Sequence, residues 1–145
     1  MGDPFTKNSH RGLYKTSNGG RSWKQILYTN SSSGVADLVM DPKNPKKLFA
    51  AMYDHQRTPY YFTSGGPGSG LYISEDAGAT WRKINHENGL PKGNLGRIGI
   101  AIAPSNPNRI YAKIEAKKNA KMVVNNTTNL MMLPKKMIQI AKNVV

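Results

Sequence analysis

Hydrophobic residues in this chain occur in short runs separated by clusters of glycine, proline, asparagine and serine. The runs are rich in Val, Ile, Leu, Phe and Tyr, which favour β-strands. No long segment before residue 129 has the periodicity of a helix. The pattern therefore predicts an all-β fold. Its central part predicts four strands, at residues 34–40, 48–53, 70–74 and 80–84.

The strand pattern is duplicated along the chain. Segment 12–26 returns as segment 70–84, with each residue 58 positions after its counterpart. A second pair of matching segments, 35–51 and 97–113, has an offset of 62, so the connection before the second copy is longer. Insertions that fall in a connection and spare the strands are typical of strand-and-loop repeats. Units of this kind stabilise one another by burying their apolar faces between neighbours.

Turn-forming residues occupy matching places in the two copies. Segments 42–45 and 104–107 each contain two prolines, which fix φ and donate no backbone hydrogen bond, so a turn is predicted between two strands. The pairs 19–20 and 77–78 supply residues that tolerate positive φ at a second turn. Each unit is thus predicted to contain four antiparallel strands.

Tandem four-stranded antiparallel sheets are typical of β-propeller blades. The sequence predicts an incomplete propeller in residues 1–116, with the last half of one blade at 12–27, a full blade at 34–84 and the first half of the next at 97–114. These strands amount to about two blades, whereas propellers contain about 4–8. We therefore expect the chain to be a piece of a larger protein.

A short motif, Ser/Thr-x-Asp-x-Gly-x-x-Trp, marks the second turn of each unit. Its hydroxyl and carboxylate groups can hold a tight turn by bonding nearby backbone, and its tryptophan is expected to pack between strands. We interpret the motif as structural. One copy has Asn in place of Asp, which keeps an acceptor oxygen; the two copies consist of Thr16, Asn18, Gly20 and Trp23, and of Ser74, Asp76, Gly78 and Trp81.

The repeated motif resembles the Asp-box, or BNR, motif. The wider sequence, in particular segments 36–42, 57–59, 64–72 and 96–99, resembles the sortilin/Vps10-like BNR-repeat propellers of bacteria, which are often described as glycosyl-hydrolase-like. The resemblance covers roughly residues 2–116. It implies an exported protein, in the periplasm, outside the cell or at the outer membrane, although no signal peptide is recognisable in this chain. Asp-boxes also occur in sialidases and propeller xyloglucanases, so the motif names no activity.

Candidate ligand-binding residues lie in the longest connections. Because strands alternate in direction, the Asp-box turns share one end of the sheets with turn 41–47, and connections 54–69 and 85–96 lie at the other end. Long loops on a rigid sheet commonly carry binding groups. The candidates for binding, all in connection 54–69, are His55, Arg57, Tyr60, Tyr61 and Phe62. The alternative is that the three aromatic residues among them fold back over the sheet while Arg57 pairs locally.

Catalytic candidates are few. Hydrolysis of a glycosidic bond normally needs two carboxylates that face each other across the substrate. Asp54 and Glu87 are on the predicted loop face, but no motif pairs them, and Asp37 lies in a strand. The chain has no cysteine, and its histidines lack metal-ligand spacing, so we predict no metal or cofactor and interpret all three as surface residues.

The net charge of +13 raises the possibility of nucleic-acid binding. Residues 1–112 carry 14 basic and 7 acidic residues spread over many turns, and no recognition helix or RNA-binding signature is present. Both observations argue against nucleic-acid binding.

The C-terminal tail differs from the rest of the chain. Residues 113–145 carry 7 basic residues and 1 acidic residue. The repeat is lost after Ala116, and we hypothesise a frameshift or false gene end just past Lys118. The tail at 117–145 is predicted to be irregular or helical; a basic amphipathic helix at a membrane is the alternative to an accidental sequence.

The sequence favours a non-catalytic interaction or scaffold module that binds a protein, peptide or glycan through its loop face. The alternative is a fragment of a propeller glycoside hydrolase whose catalytic residues lie largely on missing blades. A basic nucleic-acid binder is a weaker third hypothesis. No oligomer is predicted, and a membrane partner is predicted only through the basic tail.

Overall fold

The computed structural model describes residues 3–116 and the backbone of a strand at Ile138–Asn143. This part of the chain consists of antiparallel strands with one short 3-10 helix at His86–Asn88, which confirms the all-β class. The strands are β1 (Leu13–Lys15), β2 (Lys24–Leu27), β3 (Ser33–Asp41), β4 (Asn44–Arg57), β5 (Phe62–Ser64), β6 (Gly70–Ser74), β7 (Arg82–Ile84), β8 (Leu95–Ala103), β9 (Asn106–Ala116) and β10 (Ile138–Asn143).

The middle sheet contains the four strands that the sequence predicts for the central unit. They pair in the order β3-β4-β6-β7, and β5 pairs with the far end of β4. Strand β4 is longer than predicted because it forms a tight hairpin with β3 at one end, where Asp41 faces Asn44, and pairs with β5 at the other. Strand β7 begins only at Arg82, because the amide of Thr80 is still bound by the preceding turn.

Two smaller sheets flank the middle one. Strands β1 and β2 form a pair, and β8 and β9 form a hairpin whose outer neighbour is β10. The β8–β9 turn repeats the β3–β4 turn, because Ala103 faces Asn106 just as Asp41 faces Asn44, with a register shift beside each pair. The repeated sequence therefore folds into repeated local structure.

The three sheets stack as layers around two hydrophobic clusters. Successive side chains of a strand point to opposite faces, so β4 contributes to both clusters. Phe49 and Ala51 pack with residues of β8 and β9, whereas Ala50 and Met52 pack with Leu13 and other residues of the β1–β2 pair. Strand β4 in the centre of the middle sheet is thus covered on both faces, as expected for repeats that bury their apolar surface against neighbours.

The structure leaves the predicted propeller without a closed ring. All three sheets are open within the described part of the chain, so the coarser prediction of an antiparallel β fold is confirmed and the circular arrangement is not shown. No helix in the described residues is long and apolar enough to cross a membrane.

The prediction that the tail is irregular or helical is wrong for Ile138–Asn143, which forms strand β10. This strand pairs antiparallel with β9, from Ile138 opposite Ile114 to Asn143 opposite Arg109. The segment pairs with the free edge of β9, and this long-range pairing is not encoded in the local sequence. Residues 117–137, where we place the frameshift, lie outside the described residues.

The second Asp-box is a turn fastened by two side chains. The Ser74 hydroxyl accepts a hydrogen bond from the Gly78 amide at 2.8 Å, and Asp76 Oδ1 accepts one from the Thr80 amide at 2.8 Å. Hydrogen bonds from the Thr80 side chain, the Thr80 amide and Ser74 lower the pKa of Asp76 to about 2. Positive φ angles at Ala77 (60°) and Gly78 (87°) let the chain turn back, as predicted.

The first Asp-box has the same geometry with asparagine in place of aspartate. The Thr16 hydroxyl accepts from the Gly20 amide at 2.9 Å, and Asn18 Oδ1 accepts from the Ser22 amide at 2.9 Å. The Asn18 amide group then donates to Ser22 Oγ at 2.8 Å, where the aspartate of the other box accepts from a hydroxyl. Both boxes are therefore equivalent corners, and asparagine preserves the acceptor that the turn requires.

The two motif tryptophans differ in burial. Trp81 is half-buried and packs against the cluster of Leu13, Leu27, Ala50 and Met52, between its own sheet and β1–β2. Trp23 is 61% exposed, so the prediction that it packs between strands is wrong. No sheet of the described chain covers the outer face of β1–β2, and Trp23 therefore has no neighbour equivalent to the one that covers Trp81.

Trp81→Ala is expected to lower the free energy of unfolding by about 2–3 kcal/mol, somewhat less than for a fully buried aromatic residue. Trp23→Ala is the matched control and is expected to cost less than about 1 kcal/mol, because its side chain is mostly in water. Urea denaturation of the two variants measures the difference. Equal losses would contradict the unequal burial of the two tryptophans.

Candidate functional site

The two long connections meet at one end of the sheets, as the alternation of strand direction predicts. The Gly66 amide donates to the Leu95 carbonyl at 3.3 Å, and the Gly65 amide donates to the Asp54 carbonyl at 2.9 Å. At the opposite end, the Ala77 amide of the second Asp-box donates to the Lys46 carbonyl of turn 41–47 at 2.8 Å. We call the end that carries connections 54–69 and 85–96 the loop face.

The most prominent feature of the loop face is an exposed aromatic tip. Tyr60, Tyr61 and Phe62 are 96%, 63% and 56% exposed, so the alternative in which they fold back over the sheet is wrong. The Thr58 hydroxyl accepts from the Tyr61 amide at 3.1 Å, and the Thr58 amide donates to the Tyr61 carbonyl at 2.9 Å. These bonds form a turn between β4 and β5 that holds the aromatic rings in solvent.

Arg57 lies at the end of β4, beside the aromatic tip, with its side chain exposed. Its backbone amide donates to the Pro4 carbonyl at 3.0 Å, and the Gln56 side chain donates to the Phe5 carbonyl at 3.3 Å. The N-terminal segment thus runs along the same end of β4. Phe5 is 59% exposed and adds a fourth aromatic side chain that the sequence analysis did not identify.

His55 does not belong to the exposed tip. It is only 5% exposed, and its ring stacks on Tyr53 with a centroid distance of 4.7 Å and an interplanar angle of 6°. The interpretation of His55 as a surface residue is therefore wrong. That interpretation, like the choice of His55 as a ligand-binding candidate, assumed that the residue lies in a loop. His55 lies instead inside β4, opposite Ser64 of β5. Burial lowers the pKa of His55 from its usual 6.5 by disfavouring the charged imidazolium.

The free energy of unfolding is expected to decrease between about pH 7.5 and about pH 5, because His55 is harder to protonate in the folded chain than in the unfolded chain. Below pH 6.5 the unfolded chain takes up a proton that the folded chain resists, so the contribution is complete above that pH and decreases below it. His55→Gln should reduce this pH dependence, whereas the exposed His86→Gln should leave it unchanged. Urea denaturation at both pH values measures it, and identical pH profiles for all three proteins would refute the assignment.

Asp54 serves the local structure of the loop face. Its Oδ2 accepts hydrogen bonds from Asn30 Nδ2 at 3.1 Å and from the Gly68 amide at 3.2 Å, and its own amide donates to Ser69 Oγ at 2.8 Å. The carboxylate is half-buried and ties two connections together. The Asp54 side chain therefore stabilises the packing of these two connections against each other.

The other carboxylates of interest are also engaged locally. Glu87 is exposed on the 3-10 helix, where its Oε2 accepts from the side chain of Asn85 at 3.3 Å. Asp37 Oδ2 accepts from the Ile100 amide at 2.8 Å and so connects β3 of the middle sheet to β8 of the next. No hydrogen bond or shared partner joins Asp54 to Glu87 in the described residues.

Glu115 and Arg11 are two charged residues near the loop face that sequence analysis missed. Glu115 Oε2 accepts from Ser64 Oγ at 2.8 Å and from the Arg97 amide at 3.1 Å, which links β9 to β5. Arg11 is 0% exposed and donates to backbone carbonyls of four residues. Neither residue lies in a recognisable motif, because their partners are backbone groups or a single hydroxyl.

No three His, Asp or Glu side chains within the described part of the chain come together in a way that could hold a metal ion. An open cavity of about 270 Å³ lies at the Asp-box end, between the second box and the β1–β2 pair. One of its lining side chains, Lys15, donates to the Ala77 carbonyl at 2.8 Å. This contact fastens the two units to each other.

No protein-family model, no curated protein and no solved structure matches this chain. Functional inference therefore depends on the geometry of the loop face and on the repeat motif.

Proposed function

We propose that this chain is a non-catalytic interaction module that binds a protein, peptide or carbohydrate through the aromatic tip of its loop face. The observation that carries the proposal is the exposure of Tyr60, Tyr61 and Phe62 on a turn held by strands β4 and β5. Exposed aromatic surface forgoes roughly 25 cal/mol per Å² of hydrophobic stabilisation. Contiguous apolar patches on folded proteins commonly mark interaction sites.

The arrangement suits binding better than hydrolysis. Aromatic faces can stack on sugar rings or on apolar side chains of a peptide, and Arg57 beside them can bind a carboxylate in a bidentate manner. The candidate carboxylate of Asp54 accepts hydrogen bonds from Asn30 and Gly68 of two different connections, and that of Glu87 accepts one from Asn85 in its own loop. These contacts favour the binding hypothesis over a fragment of a propeller glycoside hydrolase.

The larger architecture that we propose is a β-propeller of the BNR-repeat type. Its support is the stacking of three antiparallel sheets that share repeated turns, with Asp-boxes at one end and long connections at the other. In this proposal β1–β2, β3–β7 and β8–β9 belong to three successive blades. The same resemblance suggests an exported protein.

Binding of the purified chain to immobilised oligosaccharides and to a random peptide library tests the proposed function. A triple variant, Tyr60→Ser, Tyr61→Ser and Phe62→Ser, is expected to lose binding at least tenfold, since each aromatic contact contributes about 1 kcal/mol. The matched control is Leu38→Ser with Met40→Ser, which removes exposed apolar side chains from β3 (45% and 55% exposed) and should bind normally.

Equal loss in the control, or no binding to any member of either panel, would overturn the proposal. Release of reducing sugar from the same oligosaccharides, abolished by Glu87→Gln or Asp54→Asn, would establish the hydrolase instead. Retention on DNA that weakens steeply with salt and survives the aromatic substitutions would support the nucleic-acid hypothesis.

A further inference from the structure

Strand β1 has an open edge where its counterpart in the repeat is paired. Segment 12–26 matches segment 70–84 at an offset of 58, so β1 corresponds to β6 and β2 to β7. Strand β6 pairs with β7 on one side and with β4 on the other. In the described part of the chain β1 pairs only with β2, which leaves one row of its backbone groups without a strand.

Strand β9 has the opposite relation to the repeat. Segment 97–113 matches 35–51 at an offset of 62, so β8 and β9 correspond to β3 and β4, which are followed in the middle sheet by β6. The neighbour that β9 has in place of a β6 equivalent is β10.

Strand β10 occupies the position of β6 in the same register. Ala50 of β4 lies opposite Tyr72 of β6, and its counterpart Ala112 of β9 lies opposite Ile140 of β10. The agreement extends along the strand, because Met52 faces Gly70 while Ile114 faces Ile138. The edge of β9 therefore presents the pairing pattern of a third strand, although β10 comes from a segment that lacks the repeat sequence.

The two incomplete units complement each other. Strand β1 has the sequence Leu-Tyr-Lys where β6 has Leu-Tyr-Ile, so β1 on β9 in the register of β6 on β4 would place Tyr14 opposite Ala112, as Tyr72 is opposite Ala50. The combined sheet would have the order β8-β9-β1-β2, which is the order of the middle sheet, β3-β4-β6-β7. One unit thus offers the strands that the other lacks.

We propose that β9 accepts strand β1 of a second copy of this chain at the position that β10 holds within one copy. The cis strand β10 and the trans strand β1 compete for the same edge. Association is head-to-tail, so successive copies either close into a ring or continue as a chain. This inference does not depend on the proposed ligand-binding function, and it replaces our sequence-based expectation that no oligomer forms.

A disulfide trap tests the trans pairing directly, because the chain has no cysteine of its own. Full-length chains with Tyr14→Cys and with Ala112→Cys are mixed and oxidised. The expected product is a heterodimer joined through these two positions, identified by mass spectrometry of the linked peptides. The control mixture pairs Ala112→Cys with Ser17→Cys, which lies outside β1 in the Asp-box turn and should yield at least fivefold less heterodimer.

A cis lock tests the competition. The double variant Ala112→Cys and Ile140→Cys places two cysteines at facing positions of β9 and β10, so oxidation should hold β10 in place. Sedimentation of the wild-type chain is expected to show association that rises with concentration, whereas the oxidised lock stays monomeric and regains association on reduction. No heterodimer above the control, or association of the oxidised lock equal to that of the reduced lock, would overturn the proposal.

Discussion

Phe49→Ala is expected to lower the free energy of unfolding by about 3–5 kcal/mol. Phe49 is 0% exposed and lies in the centre of β4, where it packs in the larger cluster between the middle sheet and the β8–β9 pair. Truncation removes apolar contacts and leaves a cavity that two stacked sheets cannot readily close. Urea denaturation followed by circular dichroism measures the loss.

Phe62→Ala is the control for this prediction. Its ring is 56% exposed in β5, so the same chemical change should cost less than about 1 kcal/mol. A loss at Phe49 no larger than that at Phe62 would mean that the sheets do not stack on this side of β4.

Arg11→Met is expected to lower the free energy of unfolding by about 3 kcal/mol, although methionine fills much of the same space. The buried guanidinium donates from Nη1 to the carbonyls of Ser32 (2.5 Å) and His55 (3.0 Å), and from Nη2 to those of Asp3 (2.6 Å) and Thr6 (3.2 Å). Removing it leaves these carbonyls without their shared donor. Arg21→Met, at an exposed position of the first Asp-box, is the control and should be nearly neutral.

Amide hydrogen exchange distinguishes a positioning role of Arg11 from a general loss of stability. Arg11 joins the N-terminal segment to β4, and the amides of Asn8 and Arg57 bond across that junction to Ser31 and Pro4. In Arg11→Met these two amides should exchange faster than in the wild-type chain, by a larger factor than the amides of the core strands, which exchange through global unfolding. Uniform acceleration over all strands would contradict the proposed local role.

Much of the fold could be predicted from the sequence because the same two turn motifs occur in both copies of the repeat. The Asp-box turns depend on residues within a few positions of one another, so a motif suffices to place them, and the prolines mark the other hairpin in each unit. Burial of the two tryptophans could not be predicted in this way. It depends on whether another sheet lies beyond each turn, which the motif does not encode.

The candidate site was predictable in position and less so in composition. Alternating strand direction placed the long connections at one end, and the exposed aromatic tip lies there. His55 was misjudged because β4 continues into the connection and pairs with β5, and three-residue strands give almost no periodic signal. Arg11 was missed because its acceptors are carbonyls spread between residues 3 and 55, which leave no trace in side-chain spacing.

The bonds within each Asp-box also bear on the order in which the chain folds. Ser74 and Gly78 are four positions apart, as are Thr16 and Gly20, so these contacts close small loops at little entropic cost. Hairpins of this kind form in about 1–10 μs, whereas contacts that span most of the chain wait for larger loops to close. We expect the two boxed hairpins to be early nuclei on which the later strands assemble.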